Sequence, residues 1–384
     1  MRFEVSRAKP SDAGHVVSLF RACYGDAYPF KDFYEEDWVR KGTYDDSVAW
    51  LVAREAGSGD VVGTGAVMLE AGDHDDLLGE FGRLAVHPRY RGSGVGRALV
   101  AKLVEEASRR VEFGFAEART AHVGSQKILG SQGFFPVGYE PLKYCLDRRE
   151  SVVAYGRLFG QAARLRKRRV LVVPEVEPLA RHVLRGMGLE TEIRLDPYAG
   201  RYPADEGLGL QVIDEWTMPR LLKIELGRVV RPEVFGHLHL NYGFFKIVEQ
   251  NAQYLVARDQ ERLVGAVGYT YDYVDEKVKV FELVAKDDFV KGFLVDAMDA
   301  YAVSSLNAQY VEVDVSAYSP RMQKTFLEFG HVPVAYFPAM VFQDTRRLDV
   351  VRFAKVNSKQ ADAPRLLAEA REVRDLVAAS GAKY

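Results

Sequence analysis

The chain has 384 residues, 48% of them apolar, 11% aromatic and 28% charged, a composition of ordinary globular protein with enough apolar side chains for more than one core. Its 52 Lys and Arg against 54 Asp and Glu leave a formal net charge of -2, which excludes a global field for nucleic acid or an anionic membrane, so an anionic ligand must be met locally. Cys23 and Cys145 stand far apart, no basic-then-apolar leader opens the sequence, and no run of about eighteen uncharged apolar residues occurs; a reduced, cytoplasmic chain, neither exported nor membrane-spanning, is expected.

A strand is expected near Phe3, then a helix with Ser11 and Asp12 as N-cap candidates that carries Val16, Val17, Leu19 and Phe20. An aromatic stretch follows, from Tyr24 to Tyr34. Two apolar runs, Trp50 to Arg54 and Val61 to Leu69, flank Gly57-Ser58-Gly59-Asp60, which signals a hairpin. A run from Phe81 to His87 ends at Pro88. After a basic, glycine-rich turn, Val95, Leu99, Lys102, Leu103 and Glu106 mark an amphipathic helix reaching toward Arg109. A strand from Phe113 to Thr120, a helix over Ser125 to Ser131 and a strand across Phe134 to Cys145 complete an α/β or α+β unit.

The unit recurs. Ser125 to Pro141 aligns without gaps onto Met322 to Pro338, 197 residues downstream, with seven of 17 positions identical. Leu51 to Glu55 likewise answers Leu255 to Asp259. This predicts two tandem mixed-sheet domains, 1–147 and 208–355, a small α/β joining segment over 148–207, and a C-terminal part, 356–384, whose periodicity from Ala361 to Ala379 suits a packing or dimer helix. In the joining segment, Arg164, Arg166, Lys167, Arg168 and Arg169 form a basic run without aromatic interleaving, read as a solvated helix end before a strand from Val170 to Val173. His237 and His239 share one face if extended. With no third ligand in the sequence pattern they are read as surface histidines, and no metal is expected.

The chemistry concentrates between Leu84 and Arg97. A strand of the form Leu84-Ala85-Val86-His87-Pro88 leads into Arg91-Gly92-Ser93-Gly94-Val95-Gly96-Arg97, which opens a helix. Three glycines in five positions let backbone N–H groups converge on one concavity, and the helix N-terminus and two flanking arginines add positive charge, so the segment reads as a pyrophosphate seat. The alternating glycines do not fit the dinucleotide pattern G-x-G-x-x-G, and no GK[ST] of a P-loop follows.

The pattern R-x-x-G-x-G at Arg91, Gly94 and Gly96, together with the later Gly133-Phe134 that closes a helix, resembles the GNAT acyltransferase superfamily across nearly all of the first copy. The resemblance implies a sheet whose fourth and fifth strands splay to admit acyl-CoA, with Leu84, Ala85 and Val86 pairing with its pantetheine arm and residues 91 to 97 holding the pyrophosphate. It implies direct transfer of an acyl group, most often acetyl, from acetyl-CoA to an amine in a ternary complex. Glu80 is the candidate base and His122 a second candidate for proton handling. Tyr24, Asp26, Tyr28 and Tyr34 are candidates for lining the acceptor pocket. The tyrosine that the family usually offers as acid is replaced by Leu129, which leaves two alternatives: a non-catalytic acyl-CoA sensor or partner-binding protein, and an acyltransferase acting on a carrier-protein thiol. A small-molecule or protein amine is the expected partner, with neither nucleic acid nor membrane, and a second copy of the chain as a candidate. In the second copy, Lys286-Asp287-Asp288 through Gly292 replaces the glycine turn, and Gly330-His331 replaces Gly-Phe. That copy is expected to be degenerate and not to bind acyl-CoA, kept for packing, for dimerisation or to wall off the acceptor site of the first.

Overall fold

The computed structural model describes residues 3–26, 28, 30–69, 71, 75–146, 148–204, 207–213, 233–236, 252–360 and 362–381. The first half runs β1 (Phe3–Arg7), α1 (Ala13–Tyr24), α2 (Glu36–Gly42), β2 (Val48–Glu55), β3 (Val61–Met68), β4 (Leu78–Val86), α3 (Val95–Ala107), β5 (Phe113–Arg119), α4 (Gly124–Ser131), β6 (Phe135–Cys145) and β7 (Arg149–Leu158). The middle holds α5 (Ala162–Leu165), β8 (Arg169–Val172), α6 (Glu177–Gly186) and β9 (Glu192–Leu195). Then come β10 (Gly209–Ile213), β11 (Val234–Phe235), β12 (Ala252–Asp259), β13 (Arg262–Asp272), β14 (Lys277–Ala285), α7 (Asp288–Ser304), β15 (Tyr310–Ser316), α8 (Pro320–Glu328), β16 (Val332–Gln343), β17 (Arg346–Val356) and α9 (Ala368–Gly381).

One mixed sheet spans the molecule in the order β1-β2-β3-β4-β5-β7-β6-β16-β17-β15-β14-β13-β12-β10. Read outward from the β6–β16 boundary, the strands follow the chain in the same relative order on both sides. At the boundary Gly138 pairs with Ala335, and these two residues hold the same place in the repeated sequence. The approach is close: a Cβ on residue 138 would lie 2.2 Å from the Ala335 Cβ, so a side chain there forces the strands apart. β7 inserts between β5 and β6, so the segment expected as a joiner begins with a strand of the first half-sheet.

The strands form where apolar and β-branched residues run together. Val48 to Ala53 of β2 are buried on both faces because helices cover both sides. On one face α3 sets Val95, Leu99, Val100 and Leu103 into the main core; on the other, Val16, Leu19 and Phe20 of α1 pack with Phe33, Val39 and Trp50. α6 and α9 lie on β16 and β6 and cover the boundary.

Two expectations are corrected. Arg166 is not solvated: it is 2% exposed and paired through two hydrogen bonds with Asp349 of β17, one of them 2.7 Å from Nε. The C-terminal helix begins at Ala368, not Ala361, because Pro364 disfavours helix before it and the preceding residues bond elsewhere: the Arg365 N–H donates to the Thr120 carbonyl at 2.8 Å. Among the described residues, no helix is long and apolar enough to cross a membrane. His237 and His239 lie outside the described residues.

Candidate functional site

β4 and β5 are paired in parallel only at Leu78, Gly79 and Glu80 against Phe113, Gly114 and Phe115. Beyond that point each continues without the other. β4 stays bonded to β3 as far as Val86, and β5 stays bonded to β7 as far as Arg119. Among the described residues no strand lies between the facing edges of Phe81–Val86 and Ala116–Arg119. A bulge with Arg83 in the left-handed region, φ 55°, helps turn β4 away. The wedge opens into a cavity of about 1180 Å³ lined by Leu84, Ala85 and Val86 on one wall and Phe115, Ala116 and Glu117 on the other.

The mouth of the wedge is the glycine turn. Gly94 is the N-cap of α3 at φ 93°, and a Cβ on it or on Gly92 would meet nothing within 4 Å. That open ground faces the first turn of α3, whose N–H groups lack partners four residues back. Gly96 is packed instead, its Cβ position 2.9 Å from Ile128. Arg91, Gly92, Gly94, Val95, Gly96 and Arg97 line the cavity, whereas Ser93 turns its hydroxyl back to the Tyr90 carbonyl at 2.6 Å. An unpaired strand edge leading to a cationic cradle fits an extended amide-bearing arm that ends in a diphosphate, the shape of an acyl-CoA.

Of the expected acceptor residues, Tyr24 and Tyr28 line the cavity, together with Phe30, Phe33 and Trp38. Tyr34 and Asp26 are not among the lining residues: the Tyr34 hydroxyl accepts the Tyr28 N–H at 3.0 Å, and Asp26 is exposed, its carbonyl accepting from Lys31 at 2.5 Å. Cys23 rests on the wedge with its thiol donating to the Val86 carbonyl at 3.3 Å. Burial pushes that thiol up, outweighing the Arg91 charge, so it carries little thiolate.

Glu80 sits where β4 and β5 part. Its Oε1 accepts from Arg83 at 2.6 Å. His122, just past β5, lines the cavity and accepts the Gly124 N–H at Nδ1, 3.3 Å away. Burial, with Arg119 and Arg91 nearby, lowers its basicity below the ordinary imidazole value, so the ring is neutral at pH 7. Leu129 lines the cavity with no proton to offer. Gln126 is turned away: its amide bonds the Arg365 carbonyl and the Leu367 N–H, at 2.8 and 3.0 Å.

The inner wall of the cavity is a set of residues that sequence reasoning missed. Lys143 of β6 bonds Glu117 of β5 at 2.8 Å and also Glu140, and forms an ion pair with Glu312 of β15 at 2.9 Å. Arg352 of β17 holds Asp314 at 2.8 and 2.9 Å and Glu140 at 3.2 Å. The Tyr144 hydroxyl donates to Glu117. Lys277, Lys279, Glu312 and Arg352 bring the second half into the cavity wall. The available signal was charge within strands that are otherwise apolar, as in Val311-Glu312-Val313-Asp314-Val315.

The corresponding place in the second half is filled. β14 pairs with β15 from Lys277 to Val280, and past that point β11 takes the edge of β15 at Asp314 and Val315. Gly236 after β11 packs directly on Phe281, its Cβ position 2.0 Å from that of Phe281. At the head of α7, the Asp287 carboxylate accepts the Val290 N–H at 3.0 Å, and Gly292 lies against the Pro203 carbonyl, 2.1 Å from where its Cβ would be.

Among the described residues no group of three or more His, Cys, Asp or Glu is poised for a metal ion. A family model described as Acetyltransferase (GNAT) family matches residues 14–135. An IAA acetyltransferase of Azospirillum brasilense is 31% identical over 131 residues, which span 32% of this chain and 81% of that protein. Among solved structures, a GNAT superfamily phosphinothricin acetyltransferase from Sinorhizobium meliloti in complex with AcCoA is similar at 20% identity, covering 42% of this chain and 90% of its own, with a TM-score of 0.38. A ribosomal-protein-alanine N-acetyltransferase from Brucella melitensis is similar at 21% identity, over 41% of this chain and 99% of its own, with a TM-score of 0.36. With 81% of the Azospirillum relative covered at 31% identity, and the family model running through both the wedge and the glycine turn, the chain belongs to the GNAT acetyltransferase family.

Proposed function

We propose that the chain transfers an acetyl group from acetyl-CoA to the nitrogen of an amine, and that its second half is a GNAT-like copy that takes no acyl-CoA and closes the acceptor side of the first. The observation that carries this reading is the wedge between β4 and β5 running into the open turn at Gly92 and Gly94. Acetyl-CoA supplies an activated acetyl thioester for attack by the amine. Arg91, Arg97 and the first-turn N–H groups of α3 hold its diphosphate, and the unpaired edge at Leu84, Ala85 and Val86 bonds its pantetheine arm as an added strand.

At the closed end of the wedge, backbone N–H groups of β4 stand ready to polarise a carbonyl oxygen. Glu80 takes the amine proton in this reading. Arg83 holds Oε1 and so fixes the carboxylate, leaving Oε2 for that task. Neutral His122, whose Nδ1 accepts the Gly124 N–H, is left with an Nε2–H to donate near the mouth of the wedge. With Leu129 in place of a tyrosine, the departing thiolate is protonated by solvent.

Calorimetric titration with acetyl-CoA, with NAD and ATP as controls, tests the seat, and CoA release across a panel of amines tests turnover. One acetyl-CoA per chain and amine-dependent CoA release are expected. Selective NAD binding or no binding overturns the assignment, and binding without release from any amine converts the protein into an acyl-CoA sensor.

A further inference from the structure

The wall that the second half contributes to the cavity holds an imbalance. Of its cations, Arg352 is bound by Asp314 and Glu140, and Lys277 lies 3.7 Å from Asp275. Lys143, from the first half, is bound by Glu117, Glu140 and Glu312. Lys279, on β14 in register with Glu312 of β15, lines the same cavity and has no carboxylate within ion-pair distance among the described residues. The neighbouring carboxylates are already shared: Glu312 faces Lys143, and Asp314 faces Arg352 through two hydrogen bonds. Lys279 is half-buried, and a lysine that has lost part of its hydration without a carboxylate beside it gains from a bound anion. Burial lowers the Lys279 amine from its ordinary value, and the Arg352 and Lys143 charges push the same way against the pull of Glu312 and Asp314.

We propose that Lys279 receives a carboxylate of the acceptor, so that the substrate is an amine that also bears a carboxylate, held across the two halves with its nitrogen toward Glu80. The inference rests on the acetyltransferase reading and adds to it a substrate class and a reason for the second half. A carboxylate suits the site better than a phosphate. One ammonium without a carboxylate partner among the described residues is matched by one negative charge, whereas a dianion would also face Glu312 and Glu117 of the cavity wall.

The test uses the full chain with acetyl-CoA and matched pairs of amines, α- and ω-amino acids against their decarboxylated counterparts, in wild type, Lys279→Met and Lys279→Arg. A second arm titrates the amino acids calorimetrically into protein saturated with CoA. The wild type should favour the carboxylated member of a pair by about tenfold or more in kcat/KM. Lys279→Met should lose that preference through KM, with kcat for the decarboxylated amine and affinity for acetyl-CoA kept, and Lys279→Arg should restore part of it. In the binding arm, amino acids should bind wild type and not Lys279→Met. Equal rates within each pair, or a preference unchanged by Lys279→Met, overturns the inference while leaving the acetyltransferase reading intact. If no amine releases CoA, that reading falls, and the binding arm alone decides for Lys279: absence of amino-acid binding to wild type overturns it. A Lys279→Met protein that loses thermal stability with no change in either arm shows a structural counter-charge instead and overturns it too.

Discussion

The β4–β5 and β14–β15 wedges are the same backbone device with opposite contents. Each pair of parallel strands is bonded over three or four residues and then parts. In the first, the gap is open along Leu84 to Val86 and ends at two glycines with positive φ. In the second, β11 occupies the gap, the Asp287 carboxylate caps α7, and Glu233 sits on Lys291 at 2.5 Å. A carboxylate from the chain thus stands at the helix start where an anionic ligand would be held. The contrast teaches that the fold alone does not make an acyl-CoA seat. In the proposed reading, what makes one is open N–H groups at the helix start and a strand edge with no strand beside it.

The sharpest way to break the comparison is to give the first turn a carboxylate of its own. Gly94→Glu puts a side chain at φ 93°, in a region L residues rarely adopt, and places negative charge in the cradle. Acetyl-CoA binding should fall beyond calorimetric detection, from one site per chain to none, in a protein that still unfolds cooperatively. A folded Gly94→Glu protein that keeps one site would place acyl-CoA in the second half and reverse the contrast.

The next effect concerns what joins the two wedges. Arg352 is 4% exposed and shared by Asp314 of the second half and Glu140 of the first. Arg352→Met leaves Asp314 buried without its cation and Glu140 with Lys143 alone, and should cost about 3–5 kcal/mol in urea unfolding. A cost below about 1 kcal/mol would mean that the network is solvated and the halves joined by apolar packing alone. Smaller is the cost of Gly138→Ala, which puts a Cβ 2.2 Å from that of Ala335 at the boundary and should cost about 1–3 kcal/mol by overpacking. Full stability in that variant would show that the β6–β16 approach is loose.

What the sequence made legible is what depends on neighbours in the chain. The glycine turn opens α3 where its residues suggest, because turn and helix start are set within about six positions. The repeat was visible because it lies in one gapless stretch of chain, whose last strands, β6 and β16, meet at Gly138 and Ala335. The cavity wall was not legible. Lys143 and Glu312 are far apart in the chain, and each alone reads as an ordinary strand-face charge; only the sheet order brings them within 2.9 Å. Arg166 misled in the same way: in a run of five basic residues it looks solvated, yet its partner Asp349 lies on a distant strand.

The smallest expected effect is a slope with pH. Burial alone would raise the Glu117 carboxyl, but Lys143 and Arg352 together draw it down to about 2. Glu312 is drawn down by the same two cations against the same burial. A carboxyl whose folded value lies below its unfolded value of about 4.3 contributes stability that is complete above that pH and is lost as pH falls toward the folded value. Glu140 runs the other way, because its burial outweighs the same cations and raises it, so it offsets part of the gain. The urea midpoint of the wild type should therefore hold from pH 7 to about 5 and decline between about 4.5 and 2. Arg352→Met should start lower and decline less steeply over that window, since one of the cations that depress Glu117 and Glu312 is gone. Parallel slopes in the two proteins would assign the acid sensitivity to carboxylates elsewhere, and would leave the network between the wedges as a wall without a part in acid unfolding.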